Sequence, residues 1–138
     1  MGGLAFWFRL TNLSGRAVFI TGMYLHLTAI LLGRELFLEK VFTPVFDMVL
    51  AVPMTFAGVM GLALWKRTRL PTAAHRAVYG VLLAYFCVSI AVHVSTFFTR
   101  DTSYIVAFPE AFSYYIIPVQ ALFLYVFSTA KPDSADRT

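Results

Sequence analysis

The chain has 138 residues, of which 59% are hydrophobic and only 13% charged, and its mean hydropathy is +0.75. That balance excludes a soluble globular domain and identifies an integral membrane protein. A net charge of +4 does not mark a nucleic-acid footprint, because the basic residues sit at the ends of apolar stretches instead of forming one stripe. The single cysteine, Cys87, excludes a disulfide framework and a CxxCH haem attachment.

In chain order, the first sixteen residues, MGGLAFWFRLTNLSGR, lack a small-residue cleavage site after their first apolar run, and Phe6 breaks a myristoylation pattern. Leu4 to Leu10, with Phe6, Trp7 and Phe8, is expected to lie as a short interfacial segment. Four apolar stretches then follow at about 15–33, 43–65, 72–98 and 108–129, each long enough to span a hydrocarbon core of about 20 helical residues. The expected fold is an all-α membrane four-helix bundle forming one domain over 1–138, with a polar C-terminal tail at 130–138.

Local signals set the ends. Gly33 suits a C-terminal cap of the first span, Thr43-Pro44 reads as an N-cap followed by proline at the first helical position, and Pro109 opens the fourth span likewise. Pro53 and Pro118 fall inside their helices and should kink them. Ala57, Gly58 and Gly61 offer a small-residue face for close helix contact.

The two halves resemble each other. AVFITGMYLHLTAILLGR (Ala17 to Arg34) and AYFCVSIAVHVSTFFTR (Ala84 to Arg100) pair Phe19 with Phe86, Gly22 with Ser89, His26 with His93, and Thr28 with Ser95. After a two-residue slip, Val41 to Pro53 matches Val106 to Pro118 with identical proline spacing. Few identities support this match, so duplication of an αα-hairpin and chance similarity both stay open. If duplicated, the hairpins should superpose by rotation about the membrane normal.

Basic residues divide unevenly. Arg9, Arg16, Lys66, Arg67, Arg69, Arg76, Lys131 and Arg137 fall on one side, while Arg34, Lys40 and Arg100 fall on the other with Glu35, Glu39 and Asp101. The positive-inside rule puts both termini and the middle loop in the cytoplasm, and the expected location is a bacterial inner membrane.

His26 and His93 carry the sharpest functional signal. They precede Arg34 and Arg100 by eight and seven residues, which at about 1.5 Å per residue sets both roughly 10–12 Å below the outer boundary. One turn earlier stand Gly22 and Ser89, small enough to let a flat macrocycle approach the helices. A b-type haem with His26 and His93 as axial ligands fits this pattern, with Arg34, Lys40 and Arg100 in reach of its propionates. The competing reading is that each imidazole bridges helices through a hydroxyl, with Tyr24, Thr28, Ser95 and Thr96 at hand. A chlorin held by one histidine is a lesser variant, and His75, beside Arg76, reads as interfacial.

Asp47 and Glu110 occupy first-turn positions favoured by the helix dipole, and are also candidate proton acceptors near a quinone or substrate pocket. With the two histidines they could make a metal site, but the ExxH spacing of di-iron bundles is missing. Aromatic residues between Phe108 and Phe127 read mainly as lipid-facing anchors. Three functions remain in contention: a haem-binding electron-transfer subunit exchanging electrons with quinone or a partner subunit, a cofactor-free accessory subunit, and a small duplicated-hairpin transporter. All three imply membrane lipids and either other membrane subunits or a homo-oligomer as partners.

Overall fold

The computed structural model describes residues 3–41, 44–100 and 111–133, without the side chains of residues 44–47. The chain is almost entirely helical. Helix α1 runs Gly3–Leu32, α2 Arg34–Lys40, α3 Pro44–Ala63, α4 Ala73–Thr99 and α5 Phe112–Thr129. Three of them, α1, α4 and α5, are long and apolar enough to cross a membrane, and Met48–Ala63 of α3 forms a shorter apolar stretch.

Helix α1 is longer than its sequence suggests. Its 30 residues reach about 45 Å, so Leu4 to Leu10 continues the helix without a break. Gly15 does not break it, because this glycine serves packing: a Cβ there would overlap the Phe127 ring. The break comes at Gly33, whose φ of 79° and ψ of 150° lie in a region that only glycine adopts readily. The following residues, expected as a loop, instead wind into the two-turn helix α2, which buries Phe37.

Pro44 opens α3 as its missing N–H allows, and the helices continue through Pro53 and Pro118. Thr72 caps α4, its Oγ1 accepting from the His75 N–H at 3.2 Å, and Arg100 ends it in the left-handed conformation with φ 59°. Helix α5 begins at Phe112, and Pro109 lies outside the described residues.

Helix α1 packs mainly on α5 and α3, and α4 mainly on α3. Exchanging the first helix pair (α1, α3) for the second (α4, α5) turns the α1–α5 interface into the α4–α3 interface. Phe19 and Phe86, which correspond in the two segments, stack at the centre with centroids 4.9 Å apart and planes 15° apart. Phe127 meets both rings at 6.3 Å, and all three side chains are fully buried. Such pairs contribute about 0.5–1.5 kcal/mol each beyond area burial, which matters where lipid offers no hydrophobic drive between helices. The small face of α3 seats α4: Ala57 is fully buried, and a Cβ on Gly61 would approach Leu83 Cδ2 to 2.6 Å.

At the end away from His26 and His93, a 3₁₀ turn at Trp65–Arg67 leads into strand β1, Thr68–Arg69, which pairs antiparallel with β2, Lys131–Pro132. The start of the C-terminal tail is therefore structured. Asn12 Nδ2 donates to the Ala130 carbonyl at 3.4 Å and Asp133 N to the Arg67 carbonyl at 2.9 Å. These bonds gather the first turns of α1, the α3–α4 connection and the C-terminal segment at one end of the helices.

Candidate functional site

A cavity of about 420 Å³ opens toward the other end of the helices, between α1, α4 and α5. On α1 its wall is built at helical spacing from Val18, Gly22, Leu25, His26 and Ala29. On α4 the same spacing brings Tyr85, Val88, Ser89, Val92 and His93 to the cavity. The two imidazoles thus reach one space from different helices, each one turn beyond its small residue.

Half-buried His26 places Nδ1 3.1 Å from the Ser113 hydroxyl oxygen of α5, and its ring meets Phe112 edge to face at 5.7 Å. With Nδ1 engaged, Nε2 is the nitrogen left for a further acceptor or ligand role. His93 is half-buried and lines the cavity from α4. Arg34 enters the lining as the first residue of α2, immediately after the Gly33 turn.

Arg100 is not brought to the cavity among the described residues. It is exposed at the end of α4, with its guanidinium 5.3 Å from the Phe97 ring centre. His75 lies eighteen residues before His93 on α4, roughly 27 Å along the axis, with Nδ1 2.8 Å from Thr72 Oγ1. Asp47 belongs to α3 by its backbone, but its side chain, like all of Glu110, lies outside the described residues.

The structure adds a polar group that sequence reasoning missed. Gln120 of α5 is only 4% exposed, donates through Nε2 to the Tyr85 hydroxyl at 3.1 Å, and leaves Oε1 buried without a hydrogen-bond partner among the described residues. Its carboxamide occupies the space beside Gly22: a Cβ on Gly22 would stand 2.8 Å from Oε1 and 2.9 Å from Nε2. The opening expected there for a macrocycle is therefore used by Gln120. The available signal was a lone amide in an otherwise apolar and aromatic span, where a polar side chain must find a partner.

Chemically, the cavity combines an apolar wall with two imidazoles, the Ser113 and Tyr85 hydroxyls, one carboxamide and a guanidinium at its rim. Among the described residues no group of three or more His, Cys, Asp or Glu side chains could hold a metal ion. Comparison of the chain with family models, with curated proteins and with solved structures finds no match.

Proposed function

We propose that the chain is a membrane-embedded electron-transfer subunit that holds one b-type haem between α1 and α4. The observation carrying this reading is that His26 and His93, placed at corresponding positions of two similar segments, line one cavity. Its volume of about 420 Å³ falls in the range of cofactor pockets, roughly 300–1,000 Å³. The donor chemistry fits. His26 Nδ1 lies 3.1 Å from Ser113 Oγ; with Nδ1 donating there, Nε2 would be the unprotonated nitrogen left to ligate.

His93 would hold the group from the α4 side of the cavity. Arg34 balances carboxylate charge at the rim, and the apolar walls keep water from the site. Bound haem supplies a one-electron couple, exchanged here with quinone or a partner subunit. Asp47 and Glu110 are the proposed proton acceptors for a quinone on the same side.

The same proposal takes α3 as the fourth membrane crossing, in a bundle of two duplicated αα-hairpins. The α1–α5 and α4–α3 contacts, which correspond under that exchange, support the arrangement, although α1 packs on α3 more extensively than α4 packs on α5. Both termini would face the cytoplasm of a bacterial inner membrane, in keeping with the basic residues beside the β1–β2 end. Other membrane subunits or further copies of the chain would act as its partners.

A second reading draws on the His26–Ser113 contact itself. A hydrogen bond joining α1 to α5 is what a cofactor-free accessory subunit would use as helix glue. Absorption spectra of purified protein, oxidised and dithionite-reduced, separate the two. Haem bands lost in both His26→Ala and His93→Ala support the first reading. A folded, colourless protein after haem supplementation supports the second.

A further inference from the structure

A second concavity, about 650 Å³, lies on the outer surface where α3 ends and α4 begins. Its mouth carries Lys66 and Arg67 on the 3₁₀ turn, and its floor descends past Leu62, Leu83, Ala84 and Cys87. No acidic residue is among the described residues lining it. Cys87 lies seven residues beyond Gly80 on α4, so the groove reaches roughly 10 Å below its mouth.

The wall at the mouth is packed. Trp65 stacks on Tyr79 with centroids 5.7 Å apart, and lies against Gly80, where a Cβ would be 3.4 Å from Cη2. Arg76 holds Trp65 from outside the groove, its guanidinium 5.6 Å from the Trp65 ring centre and Nη2 donating to the Thr68 carbonyl at 3.1 Å. Lys66 and Arg67 are both exposed residues of the lining.

We propose that this groove binds an anionic phospholipid, its headgroup against Lys66 and Arg67 and one acyl chain along Leu62, Leu83 and Cys87. Charge complementarity selects the occupant: a two-cation mouth over an apolar floor matches an amphiphile with an anionic head and a hydrocarbon tail. Tryptophan and basic residues at the end of an apolar helix also mark the headgroup level of a bilayer. The site is separate from the histidine cavity, and the assignment holds whether or not that cavity binds haem.

Trp65 and Trp7 are the two tryptophans, so Trp7→Phe leaves Trp65 as a single fluorophore in the groove wall. The full-length variant is reconstituted in vesicles containing either brominated phosphatidylglycerol or brominated phosphatidylcholine, with unbrominated lipid making up the remainder. At equal low mole fraction, the anionic lipid should quench Trp65 with roughly tenfold or greater preference. Lys66→Gln with Arg67→Gln should bring that preference toward parity, while circular dichroism confirms an unchanged helix content. Equal quenching by both lipids in the Trp7→Phe protein overturns the proposal. So does a preference that persists in the folded double variant.

Discussion

Replacing Gly22 with alanine tests how α1, α5 and the cavity fit together. The new methyl carbon would stand 2.8 Å from Gln120 Oε1 and 3.2 Å from Cδ, so the carboxamide must retreat by about 0.5 Å to reach ordinary contact. Gln120 is buried, and its 3.1 Å bond to Tyr85 is strained or lost when the amide moves. Overpacking costs about 1–3 kcal/mol and the lost bond about 0.5–1.5 kcal/mol, against a helix-propensity gain of about 1 kcal/mol for alanine. The net expectation is a loss of about 0.5–3.5 kcal/mol, read as a lower midpoint in detergent-denaturant or thermal unfolding. The same substitution in a Gln120→Ala background meets no carboxamide and should be neutral or stabilising by up to about 1 kcal/mol. Equal destabilisation in both backgrounds would refute the reasoning.

Gly33→Ala should destabilise by about 1–3 kcal/mol, because φ 79° with ψ 150° strains any side chain although nothing crowds the site. Thermal unfolding measures it, and an unchanged midpoint would contradict the assigned backbone. For the carboxylates, Asp47→Asn and Glu110→Gln should slow quinone-coupled turnover while leaving assembly intact if they move protons. Unchanged turnover with stability lower by about 0.3–1 kcal/mol would leave only the dipole role. Reporter fusions at Arg69 and Lys131 should both read cytoplasmic, and opposite readings would contradict the β1–β2 pairing that joins these segments.

Short-range chemistry made much of the fold legible. The apolar runs locate the helices, Pro44 and Gly33 mark helix boundaries where their backbone constraints act, and the Ala57–Gly58–Gly61 face lies against α4 as its small volumes suggest. The spacing of Gly22 to His26 and of Ser89 to His93 brings all four residues to one cavity, because helical periodicity alone sets a shared face. Features decided by distant partners were not legible. Gly15 looked like a boundary, and only the Phe127 ring lying across it explains why the helix passes through. Gly22 looked like vacant space, and Gln120, almost a hundred residues later, occupies it. Arg100 and Arg34 looked equivalent beside their histidines, yet the Gly33 turn and helix α2 carry Arg34 to the cavity while Arg100 ends its helix over Phe97. Tyr85 and Ser113 carried no signal because hydroxyls are common in apolar helices and their partners lie on other helices.

The central claim is that His26 and His93 jointly hold a haem, and its most direct test is the reduced-minus-oxidised absorption spectrum of the purified protein. Cells supplied with haem precursor should yield a folded protein with the spectrum of six-coordinate low-spin haem at about one haem per chain. His26→Ala and His93→Ala should each abolish that signature, whereas His75→Ala, roughly 27 Å along α4 from His93, should retain it. A folded wild-type protein without haem absorption, or one whose low-spin spectrum survives either His26→Ala or His93→Ala, would contradict the claim.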